Sequence, residues 1–500
     1  MLVILGFAMV ATFMALIMTK RLTPLLALII VPTVFGLFAG AGLGIGDMVL
    51  ESIADMSSTA ALLMFAIIYF GLMIDVGLFD KLVAGIVRLV GHDPAKVVLG
   101  TAILTGIISL DGDGSTTFIV VTAALLPVYQ RLGLSPVVLT CVAGLTNGTL
   151  NIVPWGGPTA RAAAALGVDA SDVFVPMIPA LAVGLAFVLA FAWLLGVSER
   201  RRLQREDPLR WGAENRRGGK RADGTTADAG TAASSPASPG GSGPRPGAGA
   251  AGSRPAPGGA LRETPGGVAV LERDDDAPSL DGLADTVLDP NRPTLRPKLF
   301  WFNLSMTVAI MVLLVLDVLP LPYLFMVGSA IALVVNFPRV SDQAKMLSSH
   351  SSSVIAVVSM VLAAAVLTGV LSGTGMVDAM SQWLVAVIPD SMGPYLAVIT
   401  GLISIPATFF MSNDAFYFGI LPVLTETGAH YGIPAVDMAR ASITGQPVHM
   451  QSPLVPAILL LVSLAGVDLG DHHKKVLWRA LIVSLVMLAT GVLVGAIGFG

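Results

Sequence analysis

Residues 108–118 read ISLDGDGSTTF, set between VVLGTAILTGI and IVVTAALLPV. Asp111, Gly112, Asp113 and Gly114 thus break a run, 97–130, that is otherwise fit for a membrane. In hydrocarbon, an unpaired backbone group or charge costs several kcal/mol, so irregular charged backbone is tolerated only around a water-filled or protein-lined cavity. The run is therefore read as a helical hairpin that enters and leaves on the same side and turns at its glycines. The N-terminus of its second half-helix, near Ser115 and Thr116, offers free N–H groups to an anion. A second run of this kind, 394–427, is interrupted at TFFMSNDAF by Ser412, Asn413 and Asp414.

Each hairpin is followed by a broken run: GLTNGTLNIVPWGGPTARAA (144–163) and SITGQPVHMQSPLVPA (442–457). Pro154, Gly156, Gly157 and Pro158 do not fit an unbroken helix, nor do Pro447 and Pro453. Working outward, further apolar runs occupy 2–18, 23–45, 57–79, 136–160 and 174–197, then 299–317, 321–337, 351–376, 433–466 and 476–498. Most are long enough to span a bilayer. Composition agrees: 54% of residues are hydrophobic and 12% charged, against about 25% charged in soluble domains, and mean hydropathy is +0.81. The N-terminal run lacks a basic leader and carries Lys20 and Arg21 behind it, which suits a first spanning helix better than a cleavable signal. Cys141, the single cysteine, rules out a disulfide framework or thiolate metal site.

Between the halves, 199–297 is rich in Pro, Gly, Ser and Ala. Such material buries too little apolar surface to fold and is read as a disordered linker. Five spans and one hairpin per half place the clusters Lys20/Arg21, Lys81/Arg88/Lys96, Arg131, Arg200–Arg202, Arg339/Lys345 and Lys474/Lys475/Arg479 on one side. Asp47, Glu51, Asp55, Asp169, Asp172, Asp317, Asp378 and Asp390 fall on the other, with Arg161 and Arg440 as exceptions. Positive charge marks the cytoplasmic side, so the linker is expected inside and both termini outside.

An odd number of spans per half inverts the second half, and the sequence carries a matching repeat. TGIISL at Thr105–Leu110 recurs as TGLISI at Thr400–Ile405; Leu126-Pro127-Val128 meets Leu421-Pro422-Val423, and Gly133 meets Gly428. After a short insertion, Pro136 meets Pro434, Thr146 meets Thr444 and Pro158 meets Pro456. The expected fold is an all-α polytopic membrane protein of two inverted repeats, each about five transmembrane helices plus one re-entrant hairpin, with broken helices at the substrate site. Its parts are scaffold helices (1–96 and 298–390), hairpin and transport helices (97–198 and 391–500), and the 199–297 linker. Two hairpin tips and two helix breaks would converge near the midplane.

The segments SLDGDGSTTF, NIVPWGGPTARAA, FFMSNDAFYFGILPVL and GQPVHMQSPLVPA resemble the signature segments of the metal–citrate:proton symporter family, CitMHS, within the ion transporter superfamily. The resemblance covers both halves. It implies a bacterial plasma-membrane importer of citrate complexed to a divalent cation, driven by protons, with no permanent cofactor. Related carriers bind carboxylates with Ser-Asn-Thr-type tips. Here the tips carry acids, Ser412-Asn413-Asp414 and Ser115-Thr116 behind two aspartates, which departs from the sodium-coupled pattern. A bare tricarboxylate calls for several basic residues, but only Arg161 and His449 are at hand. Asp111, Asp113 and Asp414 suit a Mg²⁺ or Ca²⁺ complex, since both ions prefer carboxylate oxygens. Such a complex carries one net negative charge, which Arg161 balances.

The expected substrate contacts are Ser115, Thr116, Asn147, Asn151, Gly156, Gly157, Thr159, Arg161, Ser412, Asn413, Gln446, His449, Gln451 and Ser452. Proton carriage is expected of Asp414, Asp113 or His449, because a carboxylate in a low-dielectric cavity holds a proton more readily. Plainer readings stand beside these. Asp111 or Asp113 caps the half-helix, Arg161 anchors an interface, His449 packs between helices, and the amides serve polar helix packing. Asp75 is a structural polar partner or a functional acid. His472 and His473, beside Lys474 and Lys475, are read as a solvated loop. Loading with metal–citrate and protons would neutralise Asp113 or Asp414 and let the transport unit cross a fixed scaffold, while an empty, charged site would be held back.

No HExxH, GxSxG or Cys/His framework points to an enzyme, and no nucleic-acid partner is expected; the bilayer is. The main rival is a proton- or sodium-coupled carrier of another organic anion on the same fold. The runs 2–79 and 299–376 also suit a homodimer interface, as in related carriers.

Overall fold

Prolines behind short polar residues set several helix starts: Thr23-Pro24, Asp93-Pro94 and Ser135-Pro136 each place proline at the first helical position, where its missing N–H is no loss. The structure is a computed structural model describing residues 1–206 and 292–498, apart from Lys20, His92, Asp113 and Asp317. The first half runs α1 Leu2–Met18, α2 Pro24–Phe38, α3 Ile45–Asp75, α4 Leu78–Val90, α5 Pro94–Ile108, α6 Gly114–Leu132, α7 Pro136–Leu150, α8 Gly157–Leu166, α9 Ala170–Phe174 and α10 Ile178–Glu206. The second half runs α11 Phe300–Val315, α12 Leu321–Asn336, α13 Val340–Ser349, α14 Ser351–Gly373, α15 Met376–Val387 and α16 Leu396–Phe410. A π-helical turn, Ala415–Ile420, leads into α17 Leu421–Ala429. Then come α18 Ala435–Ser442, α19 Gln446–His449, α20 Pro456–Leu464 and α21 Leu469–Leu493.

The chain is an all-α polytopic membrane protein. Among the described residues seven helices are long and apolar enough to cross a membrane, and several shorter ones are apolar. Leu37, Trp193, Trp301, Val334 and Trp478 lie exposed on the outside of the bundle, as lipid-facing positions do. The expected linker falls mainly on 207–291, outside the described residues. At its edges, 199–206 prolong α10, and Arg292 rejoins the bundle by donating to Asp80 and to the Asp75 carbonyl.

The two halves follow one plan, although α3 is a single helix where α13 and α14 are two, and α7 a single helix where α18 and α19 are two. Left-handed Gly77 (φ 83°) and Gly375 (φ 72°) open α4 and α15. Asp169 and Asp468 cap the helices that follow α8 and α20 by accepting from Ser171 N and Gly470 N. Contacts swap between halves: α1 packs on α15 as α11 does on α4, and α2 packs on α14 as α12 does on α3. Not every sequence match coincides: TGIISL closes α5 and enters its tip, whereas TGLISI lies in the body of α16, short of the break at Met411. The left-handed turn glycine equivalent to Gly133 (φ 74°) is Gly432 (φ 77°), whereas Gly428 lies inside α17, where an added Cβ would meet Met438.

Inversion is visible at the ends. The C-terminal part of α10 meets the α6–α7 turn, Glu199 accepting from Ser135 N and Arg202 donating to the Gly133 carbonyl. The start of α21 sits beside the start of α7, Cys141 Sγ contacting the Lys475 carbonyl. At the opposite end Arg440 of α18 reaches the carbonyls of Asp172 and Ala496 and the Asp437 carboxylate. So α7 and α18, equivalent by sequence, start from opposite ends. The expected scaffold gains two helices unforeseen in the sequence, α4 and α15, each too short to count as a span. α3 is longer than its run because Asp47, Glu51 and Asp55 lie on its exposed first turns. One apolar core packs Met9, Phe13, Leu28, Val31 and Met56 with Leu367 and Leu371, and takes in Ala160, Ala164 and Phe418 as well.

Candidate functional site

The first hairpin joins α5 to α6 through a 3₁₀ turn, Ser109–Asp111, and left-handed Gly112 (φ 78°). A side chain at Gly112 would run into Trp155. Asp111 is buried, the Thr117 hydroxyl donating to its Oδ1 at 3.4 Å. Ser115 and Thr116 lie half-buried in the first turn of α6, and Asp113 falls outside the described residues. In the second hairpin α16 stops at Met411, whose backbone is extended (φ −129°, ψ 166°). Ser412 Oγ then accepts from Ala415 N at 3.2 Å and starts the returning half.

The two tips and two breaks form one connected polar set. Tip 1 is held by break 1: Asn147 Nδ2 donates to Ser109 Oγ (3.0 Å) and Trp155 Nε1 to the Leu110 carbonyl (2.8 Å). Breaks 1 and 2 cross at Gly148, where a Cβ would lie 3.1 Å from Pro447 Cα. Beside this crossing Asn151 Nδ2 donates to Gln446 Oε1 (3.2 Å). Gln446 Nε2 donates in turn to Tyr417 Oη (2.9 Å) and Asn413 Oδ1 (3.3 Å) of tip 2. Closing the ring, Arg161 Nε of α8 donates to Asp414 Oδ1 at 2.6 Å, the two side chains 24% and 11% exposed. Arg161 and Arg440, the two exceptions to the charge pattern, thus each have a local acidic partner.

The expected site residues divide into two groups. Arg161, Asp414, Asn151, Asn413 and Gln446 bond side chain to side chain across the breaks. Others are spent on the backbone. Thr159 donates to the Ile152 carbonyl (2.7 Å), His449 Nδ1 to that of Thr408 (2.6 Å), and Ser452 to that of Phe409 (2.6 Å). Gln451 Nε2 donates to the Gly144 and Pro447 carbonyls, both at 3.0 Å. Gly156 and Gly157 make room rather than contacts. A Cβ at Gly156 would lie 2.3 Å from the Asn151 carbonyl oxygen, and one at Gly157 2.6 Å from Arg161 Nη1. Among the described residues Asn147 Oδ1 is buried without a hydrogen-bond partner, and it is close to Gly114 of tip 1.

Asp75 lies away from this set, its Oδ2 2.9 Å from His350 Nε2. The solvated-loop reading of His472 and His473 does not hold. His472 is fully buried, and both histidines bond to Gln451. Its spacing to Val476, Ala480, Val483 and Met487 puts it on the buried stripe of α21, a signal that Lys474 and Lys475 masked. Tyr417 and Trp155 were also missed as polar partners. Three residues after Asp414, Tyr417 faces the same way on a helix, and Trp155 also packs on Phe70 and Phe325, each at 5.1 Å.

Two inverted repeats whose hairpin tips and helix breaks meet around an arginine–aspartate pair define a secondary carrier of a small anion. The chain belongs to the CitMHS citrate transporter family: the family model, described as citrate transporter, matches residues 1–445. A Bacillus subtilis protein named citrate transporter is 45% identical over 499 residues, covering 100% of both chains. The Mg(2+)/citrate complex secondary transporter of the same organism is 42% identical over 498 residues, covering 99% of both. Among solved structures, the Alcanivorax borkumensis YdaH transporter overlaps 89% of this chain and 86% of its own, with a TM-score of 0.47 and 14% identity. These relatives are transporters, not enzymes, and the chain is a multi-pass membrane protein.

Proposed function

We propose that the protein imports citrate as its complex with a divalent cation, Mg²⁺ or Ca²⁺, together with protons, across a bacterial plasma membrane. The observation that carries this is the Arg161–Asp414 pair. The basic residue best placed for a substrate carboxylate is already neutralised by an acid from tip 2. Bare citrate, with three negative charges, would leave the site strongly negative. Metal–citrate has one, and a proton on Asp414 cancels it while releasing Arg161 for a substrate carboxylate. Asp111, and the Asn147 oxygen that has no hydrogen-bond partner among the described residues, suit the metal end, since hard cations take oxygen ligands.

This charge count replaces the expectation that an empty site is held back. Asp111 adds the same charge in every state; beside it the empty Arg161–Asp414 pair cancels, and with both metal–citrate and a proton bound the charges cancel again. With only one of them bound, the site differs by one unit of charge, which is expensive to move through a low-dielectric barrier. A symporter needs that pattern, because its empty site must return. Arg161, Asp414, Asn151, Asn413, Gln446 and tip residues Ser115, Thr116 and Ser412 form the proposed contact set, with Asp113 and His449 as further proton candidates. The hairpins and broken helices would move as one transport unit against α2, α3, α12 and α14, in a chain that works as a homodimer. The linker side would face the cytoplasm and the Arg440 end the outside.

The test is uptake of radiolabelled citrate into proteoliposomes under an inward proton gradient, with EDTA, Mg²⁺ or Ca²⁺. Uptake that needs the metal and collapses with a protonophore supports the proposal and names the preferred ion. Equal uptake in EDTA rejects the metal, and uptake of a different di- or tricarboxylate in place of citrate identifies another substrate on the same fold.

A further inference from the structure

Gln451 is bonded at every polar atom of its side chain, and its last acceptor bond comes from outside the hairpins and breaks. Both Nε2 hydrogens go to the carbonyls of Gly144 on α7 and Pro447 in break 2. Its Oε1 can therefore only accept, and the donor is His472 Nε2 at 3.1 Å. The other imidazole nitrogen, Nδ1, meets Thr140 Oγ1 on α7 at 3.1 Å. His473 Nε2 holds the Gln451 main-chain carbonyl at 2.7 Å. Adjacent histidines at the start of α21 thus grip one glutamine by its side chain and its backbone. His472 and Gln451 are both fully buried, and space is tight: a Cβ at Gly144 would lie 2.7 Å from Gln451 Oε1 and 3.4 Å from His472 Cε1.

We propose that His472 is a positioning residue for the substrate site, acting through Gln451. The strut fixes the Pro447 carbonyl relative to α7, and Pro447 adjoins Gln446, the residue that links Asn151, Asn413 and Tyr417. Freed from the strut, break 2 can shift along α7 at the Gly148 crossing, and Gln446 leaves its place between the two breaks. The inference rests on the proposed metal–citrate transport but concerns residues outside the contact set.

Three substitutions separate positioning from bulk. His472→Gln keeps a nitrogen donor close to where Nε2 stands; His472→Asn puts one only near Nδ1; His472→Phe keeps ring volume and loses both. Uptake of metal–citrate into proteoliposomes should show KM raised about tenfold, equivalent to about 1.4 kcal/mol, in the Asn and Phe variants. Turnover per folded transporter should change less, and the Gln variant should recover most of the loss. A merely structural role lowers the amount of folded protein and leaves KM alone. Gln451→Met cuts the strut from its other end and serves if the Phe variant does not fold; it should raise KM equally. Unchanged KM in folded Asn, Phe or Met variants overturns the proposal, as does a Gln variant no better than Phe. Absence of metal-dependent uptake by the unmodified protein would instead reject the transport reading itself.

Discussion

Replacing Asp414 with asparagine separates binding from proton coupling. At 2.6 Å, with side chains 24% and 11% exposed, the Arg161–Asp414 contact lies between a surface pair worth about 0–1 kcal/mol and a buried pair whose breaking costs about 3–5. A hydrogen bond to a charged group is worth roughly 1.5–3 kcal/mol, so about 2 kcal/mol is a fair value for what a substrate carboxylate must displace. The asparagine side chain has the shape of protonated Asp414 and no charge. With Arg161 released, D414N should bind metal–citrate up to about thirtyfold more tightly at a pH where Asp414 is ionised, and its affinity should no longer vary with pH there. The empty mutant site, however, carries an uncancelled Arg161 and should not return. Homologous exchange of labelled for unlabelled metal–citrate should therefore survive while net accumulation driven by a proton gradient disappears. Equilibrium binding and the two transport modes can be measured on one preparation. Protonophore-sensitive accumulation by D414N would refute the reasoning, as would weaker binding.

Arg161→Lys keeps the charge but loses the planar fork that pairs with carboxylates; metal–citrate affinity should fall about tenfold, and Arg161→Gln should abolish binding at the same concentrations. Gln446→Leu removes the partner shared by the half-buried Asn151 and Asn413 and the buried Tyr417, at roughly 1 kcal/mol per lost hydrogen bond. It should raise KM more than tenfold and lower the melting temperature in detergent. Gly156→Ala puts a Cβ 2.3 Å from a backbone oxygen, which no rotamer relieves, whereas a Cβ at Gly46 meets nothing. Uptake should be lost in the first and unchanged in Gly46→Ala.

The architecture was legible because polar residues are expensive in hydrocarbon. Asp111, Pro154 and Asp414 had to mark breaks, and prolines kept in order across the halves had to mark a repeat. Pairings were not legible. Sequence spacing cannot say that Arg161 faces Asp414, 253 residues away, because that contact depends on how an inverted half docks on its partner. Short helices escaped for a related reason. α4 and α15 are too short to read as spans, and their starts depend on left-handed Gly77 and Gly375, which look like any other glycines in a sequence this rich in them. His472 was misread because flanking lysines suggested water, while helical spacing from Val476 pointed inward.

A further reason made candidate ligands hard to rank from sequence alone. Each helix break in a membrane frees carbonyls that have no water to bond, and each orphan costs several kcal/mol. Thr159, Ser452, His449, Gln451 and Trp155 all donate to carbonyls in or next to a break or hairpin tip. A broken helix therefore needs polar side chains before any substrate arrives, and a polar residue beside a proline or glycine is as much a backbone partner as a ligand. What separates the roles is the partner. A side chain bonded to a fixed carbonyl can leave it only by exposing that carbonyl again. A side chain bonded to another side chain, as Arg161 is to Asp414 or Asn151 to Gln446, can trade partners as a substrate enters. By that criterion substitutions at Thr159, Ser452, His449 and Trp155 should act mainly on folding and those in the second set mainly on KM. His472 and Gln451, joined through His472 Nε2 and braced by Thr140, are the case where a strut is expected to reach through to substrate affinity.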